Sequence, residues 1–212
     1  MAEPGKIAVI DVDGSLLCGN SLKMLLFRTL SCQMRKGRWM AMFSLCIEML
    51  KRILHVSSHV RLKEHICNAA LAVMTDADFV ALTAAMMAKV RPSVRRIINH
   101  WIADGGSVVI ASAGMRFCLK DMVAQMGLRY LAATEMNPDG TIGNEVRSVA
   151  KLKAVISLAS SENLGEIGLV LTDHIDDLPL LSLPGIRRVL VYPSRRLRRA
   201  LETLSLSYEI IN

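Results

Sequence analysis

The ten residues KIAVIDVDGS, Lys6 to Ser15, constrain the chain more than any other stretch: a short apolar run stops at two aspartates one residue apart, followed by a glycine and a hydroxyl. A run this short and this rich in Val and Ile cannot span a bilayer and reads as a strand buried in a parallel sheet. Such a strand delivers Asp11 and Asp13 to its carboxyl end, where open α/β sheets bind their ligands. Carboxylates this close repel each other unless a cation or a shared proton relieves them. The start of the chain therefore points to a metal-assisted site.

The residue pattern changes twice along the rest of the chain. From Ser21 to about Ala88 no strand pattern occurs, helical periodicity dominates (Leu25, Leu26, Leu30, then Met40, Phe43, Ile47, Leu50), and Gly37 is the one interior glycine, so this part reads as an inserted helical unit. From Arg91 onward helices and strands alternate. A helix is predicted around Ser93 to Asp104, a strand ending at Ser112, a helix from Arg116 to Met126 and a strand around Tyr130 to Ala133. After the turn Asn137-Pro138-Asp139-Gly140 come a helix from about Ser148 to Ala159, strands ending at Asp173 and Tyr192, and a last helix after Pro193-Ser194. Alternation of this kind specifies a doubly wound parallel sheet with helices on both faces. The expected fold is thus α/β, a Rossmann-like three-layer core of residues 1–16 and 89–212, interrupted by the helical unit at 17–88.

Composition narrows the class without naming a chemistry. The chain of 212 residues can bury a substantial core, its apolar mass is aliphatic and soft (13 Met, 4% aromatic), and five cysteines without CxxC spacing indicate neither a zinc site nor a disulfide framework. The residues MAEPGK run straight into the first strand and leave no room for a secretory signal, so a cytoplasmic protein is expected. A formal charge of +7 is concentrated in Lys23, Arg28, Arg35, Lys36, Arg38, Lys51, Arg52, Arg61 and Lys63, with Glu48 the single acid among them, and again in Arg195, Arg196, Arg198 and Arg199. These bases read equally as solvated helix faces or as attractors of anionic lipid or phosphorylated substrates; nucleic acid is not expected. The apolar window Trp39 to Leu50 is too short to cross a bilayer and contains Glu48. Packing onto the core or within its own bundle is the expectation for it, with an interfacial helix and peripheral membrane contact through the basic unit as the alternative.

Three further positions stand at predicted element ends. Ser112 ends one strand, Asp173 ends another with Asp176 and Asp177 just beyond, and Lys151 lies near the start of a helix. In a parallel sheet all strand ends face one side, so a hydroxyl, an ammonium and several acids converge. Phosphoryl transfer needs that combination: a nucleophile, a proton donor for the leaving oxygen, a metal, and groups that hold the equatorial oxygens. Taken singly each residue has a blander reading, Ser112 as a helix cap and Asp176-Asp177 as a pair favoured by a helix dipole. DxDG could also open a calcium loop, but Leu16 stands where such a loop requires glycine. Lys153 competes with Lys151, and helical spacing lets only one point inward.

IAVIDVDGS, VVIAS, a lysine at a helix start and LVLTDHIDDLPLL resemble the four ordered motifs of the haloacid dehalogenase-like hydrolases. The spacing between the first two is similar to that in members with a helical cap, such as phosphoserine phosphatases and phosphatidylglycerophosphatase-like proteins. The resemblance implies a phosphatase in which Asp11 is the nucleophile that forms an aspartyl-phosphate and Asp13 the general acid and base. It also implies Mg²⁺ on Asp11, the Asp13 carbonyl and Asp173, with Asp177 as the second acid of the last motif. Ser15, Ser112, Gly114 and Lys151 would meet the substrate. Three departures stand out: Ser15 for Thr, Thr172 for the glycine before Asp173, and His174 where Ser is common. Asn20 replaces the Glu that phosphoserine phosphatases carry nine residues after the nucleophile, which turns the expected substrate toward a phospholipid or another anionic phosphate. The competing readings are a phosphotransferase with the same first half-reaction, a receiver-like phosphoacceptor, and a membrane-binding protein with a vestigial site.

Overall fold

The computed structural model describes residues 5–212, and every count refers to them. The expectation of a chain without a leader rests partly on residues 1–4, which lie outside the described residues. Ile7–Asp11 forms β1, buried at every position, as a strand covered on both faces must be. Four helices come next: α1 (Ser21–Arg35), α2 (Trp39–Ile53), α3 (His59–Val73) and α4 (Asp76–Met87). Then come α5 (Pro92–Ala103), β2 (Ser107–Met115), α6 (Arg116–Gln125), β3 (Tyr130–Thr134) and α7 (Val149–Ser161). The chain closes with β4 (Ile167–Thr172), a 3-10 turn at Ile175–Asp177, α8 (Leu178–Leu181), β5 (Arg187–Val191), α9 (Arg195–Thr203) and β6 (Glu209–Ile211).

The strands form one parallel sheet in the order β3-β2-β1-β4-β5-β6. The chain winds outward from β1 to β3, then returns to the other side of β1 as β4. The direction of winding reverses between β1 and β4, which opens a crevice at their carboxyl ends. Alternate side chains feed two cores: Ala8, Ile10, Val108, Ile110 and Leu171 on one face, and Ile7, Val9, Val109, Val170 and Leu190 on the other. The second face is closed by α7 to α9 through Val155, Leu180, Leu197 and Leu201. The first runs on without a break into the helical part, through Leu25, Cys32, Ile66, Leu82 and Met86.

The chain leaves the sheet and returns to it side by side, with the Cys18 amide donating to the Lys89 carbonyl at 2.8 Å and the Arg91 amide to the Leu16 carbonyl at 2.9 Å. Phe79 of α4 packs edge-to-face on Phe117 of α6, centroids 6.1 Å apart. Much of the basic run is occupied within this unit. Arg28 and Arg35 both bind Asp78, at 2.9 and 2.6 Å, while Lys36 and Arg38 donate to the Val73 and Ala72 carbonyls at the end of α3. Cations suit that position, because the last carbonyls of a helix are unpaired and carry its negative pole.

Three sequence expectations change. β2 runs past Ser112 to Met115, and its pairing with β3 slips between those two residues. β6 has no counterpart in the sequence pattern, because three residues at a sheet edge are too short for a period of two to register. α2 packs onto the bundle through Leu45 and Met49, but its outer apolar residues do not: Trp39, Met40, Phe43, Ile47, Leu50 and Ile53 are exposed. All five cysteines are free, with Cys32, Cys67 and Cys118 buried and Cys18 and Cys46 exposed. Among the described residues no helix is long and apolar enough to cross a membrane.

Candidate active site

The crevice is built first by the turn after β1. The Leu16 amide donates to the Asp11 carbonyl at 3.1 Å and the Leu17 amide to the Val12 carbonyl at 2.8 Å, so the chain folds back directly behind the two aspartates. Gly14 makes this possible at φ +86°, with its α-carbon pressed against Asp173; a Cβ there would stand 2.7 Å from the Asp173 Cγ. Only glycine meets both demands. The fold thereby brings the carboxylates of Asp11 and Asp173 together across one hydroxyl: Ser15 Oγ lies 2.9 Å from Asp11 Oδ2 and 2.9 Å from Asp173 Oδ1. A hydroxyl has one proton, so it cannot satisfy both acids.

Asp13 points elsewhere. Its carboxylate accepts from the Ser21 amide at 2.6 Å and from Ser21 Oγ at 2.9 Å, which seats it at the amino end of α1. Burial pushes its carboxyl up, against the pull of those two bonds, and an acid held in that way is suited to carry a proton. Burial raises Asp173 likewise, opposed by Ser15.

Lys151, not Lys153, turns inward. Its Nζ donates to Asp11 Oδ1 at 2.6 Å and to Asp177 Oδ2 at 2.8 Å, whereas Lys153 is exposed. Burial would lower the Lys151 pKa, but the two carboxylates outweigh it and keep the ammonium charged. Burial raises Asp11, partly offset by Lys151 and reinforced by Asp177 and Asp173. The surplus negative charge therefore falls on the acids.

Thr172, which replaces an expected glycine, is wholly buried, and its hydroxyl donates to the same Asp177 oxygen at 2.6 Å. Asp177 is thus occupied in holding Lys151. Ser112 is buried, with Oγ accepting from the Gly114 amide at 2.9 Å. His174 is more than half exposed and caps the 3-10 turn, its Nδ1 accepting from the Asp176 amide at 3.2 Å.

These groups line a cavity of about 270 Å³, floored by Asp11, Asp13, Ser112 and Lys151 and walled on the helical side by Asn20 and His59. Two residues beside it, Lys63 and Glu145, escape sequence reasoning. Lys63 of α3, nearly fully buried, donates to the Ala113 carbonyl next to Ser112 and pairs with Glu145 at 2.6 Å. A signal does exist: Lys63 lies on the buried stripe Ile66, Cys67 and Ala70, where a cation without a task would be out of place. Lys63→Met leaves the largely buried Glu145 without its ammonium and is expected to lower stability by about 3 kcal/mol. Urea denaturation measures this, and an unchanged midpoint would show that the pair contributes nothing.

As a metal centre the crevice offers a short side-chain set. Among the described residues no three His, Cys, Asp or Glu side chains converge as a ready-made cage. Of the four acids expected as ligands, Asp13 and Asp177 have side chains bound to Ser21 and to Lys151 with Thr172. Asp11 and Asp173 remain. Two crowded, under-satisfied carboxylates suit Mg²⁺, which accepts few protein oxygens and keeps water on the rest.

The family model for haloacid dehalogenase-like hydrolases matches residues 8–182, a span that includes all these site positions. The chain belongs to this family. Within it, the solved structures that resemble this hydrolase share its fold at low identity. A protein of unknown function from Bordetella pertussis Tohama I superposes with a TM-score of 0.75 at 17% identity, over 99% of both chains. A HAD family hydrolase from Salmonella enterica serovar Typhi gives 0.68 at 15% identity, over 100% of this chain and 68% of that one. A phosphoserine phosphatase solved as a phospho-aspartyl intermediate analogue gives 0.60 at 13% identity, over 98% and 94%. No curated protein matches the chain.

Proposed function

We propose that the protein is a Mg²⁺-dependent phosphatase that hydrolyses a phosphomonoester through an aspartyl-phosphate on Asp11. The observation that carries this reading is the setting of Asp11, with Oδ1 on Lys151 and Oδ2 facing Asp173 across Ser15. Mg²⁺ on the Asp11 and Asp173 carboxylates and the Asp13 carbonyl would neutralise the phosphoryl oxygens and allow one anion to approach another. Asp11 attacks phosphorus, its new O–P bond forming as the ester O–P bond breaks, and the leaving oxygen takes the proton carried by Asp13. Asp13 then removes a proton from water, which attacks the aspartyl-phosphate at phosphorus; phosphate departs and Asp11 is restored. Lys151 and Ser112 hold the equatorial oxygens throughout, with Gly114 keeping the Ser112 hydroxyl in place. The phospho-aspartyl analogue seen in a phosphoserine phosphatase of this fold supports the scheme.

In this reading residues 17–88 act as a cap over a core of 1–16 and 89–212, excluding water during attack and meeting the leaving group. The leaving-group wall disfavours phosphoserine. Asn20 caps α1 by accepting from the Lys23 amide at 3.0 Å, and the two outer acids of the cavity are taken, Glu145 by Lys63 and Asp176 by Arg147, so neither is left to receive an amine. A phospholipid headgroup or another anionic phosphate suits the wall better.

Hydrolysis of p-nitrophenyl phosphate tests the scheme. Mg²⁺ should support turnover, EDTA should reduce it to background, and added Mg²⁺ should restore it; a rate indifferent to EDTA would remove the metal from the mechanism. Gly14→Ala should displace the Asp173 carboxylate and lower kcat/KM by about a hundredfold, with a higher Mg²⁺ requirement. Unchanged kinetics would mean that the close approach at Gly14 has no part in the site.

A further inference from the structure

We infer that the outer face of α2 is a docking surface for an anionic lipid bilayer. Trp39, Met40, Phe43, Ile47, Leu50 and Ile53 are each more than half exposed, Met40 at 84%. At 3.6 residues per turn they occupy an arc of about 140° along a helix about 22 Å long. Single exposed apolar side chains are ordinary, but an unbroken stripe of large ones marks an interaction site. The opposite side of α2 is anchored to the protein by Leu45 and Glu48, so the stripe faces outward on a held helix.

Charge selects the occupant. Glu48 is the only acid between Ser21 and Lys63, and it is buried and paired with Lys51 at 2.6 Å. Arg38 stands at the head of α2, and Lys51 borders the stripe near its other end. Lys51 is already answered by Glu48, but Arg38 donates to the neutral Ala72 carbonyl and keeps its charge, and a second copy laid face to face would bring no exposed acid of α2 to meet it. An anionic bilayer supplies the opposite charge, while Trp39 suits the headgroup boundary and Met, Phe, Ile and Leu the acyl layer beneath. The inference does not depend on the catalytic reading.

Co-sedimentation of the full chain with phosphatidylcholine vesicles, with and without phosphatidylglycerol, tests it. The protein should bind the mixed vesicles, weaken as salt rises, and ignore phosphatidylcholine alone. Trp39 emission should shift to the blue on binding, against a constant background from buried Trp101. Met40→Ser/Phe43→Ser/Ile47→Ser changes no charge and alters only exposed positions; it should bind about a hundredfold more weakly and retain the parent's turnover and melting temperature. Asp11→Asn should bind vesicles as the parent does, which separates this surface from the active site. Absence of binding at low salt overturns the inference, as does equal binding by the triple variant. So does a dimer in sedimentation velocity that the triple variant abolishes, because the stripe would then belong to a second copy.

Discussion

Asp11→Asn is expected to abolish turnover, with kcat lower by about 10⁴-fold or more. The amide keeps the size of the carboxylate and an oxygen for Lys151 Nζ to donate to, so the buried contact at 2.6 Å survives in form. What disappears is the anionic oxygen that attacks phosphorus and half of the carboxylate pair across Ser15. Single-turnover kinetics on p-nitrophenyl phosphate measure the loss, and thermal melting checks that the fold persists within a few degrees. Beryllofluoride should occupy Asp11 in the parent and not in the variant. Residual activity within tenfold of the parent, in protein freed of contaminating phosphatase, would move the nucleophile elsewhere.

Lys151→Ala should affect both stability and chemistry. Its ammonium is the only cation that touches Asp11 and Asp177 among the described residues, and all three groups are buried. Removing one partner from a buried charge cluster leaves the others uncompensated, at a cost of about 3–5 kcal/mol. Loss of a preorganised cation at the phosphoryl oxygens lowers kcat by a further factor of about 10²–10³. Chemical denaturation and steady-state kinetics separate the two effects. Lys153→Ala, on the exposed side of the same helix, should change neither. If the two variants behave alike, the assignment of Lys151 is wrong.

Asp11, Asp13, Ser112, Lys151 and Asp173 are legible in the sequence because each stands at or near a predicted element end and the sheet is parallel, so a one-dimensional order of strand ends implies a three-dimensional cluster, although β2 in fact continues three residues beyond Ser112. The choice between Lys151 and Lys153 is not legible from the acids, which lie 140 and 26 positions away from Lys151. Thr172 reads as a backbone problem, yet its hydroxyl holds Asp177. Lys63 falls among the surface bases because charge runs are usually solvated; its place on the buried stripe of α3 is the sign that separates it from them. For α2 the expected packing holds for Leu45 and Met49 and not for the outer stripe, since periodicity reports that a helix has an apolar side and not how much of that side is covered.

The order of elements, the parallel sheet, the crevice at Asp11 and Asp13 and the membership of a hydrolase family were all determined by the sequence itself. They follow from local rules: apolar runs, breaks and periodicity act over a few residues and are written there. Tertiary structure alone decided that Asp13 turns to Ser21, that Asp177 holds Lys151, that Lys63 reaches Glu145, and that α2 keeps its outer apolar stripe exposed. Each of these joins side chains brought together by packing, or leaves a face that packing did not cover, and the free energy that settles such choices depends on distances that no spacing along the chain encodes.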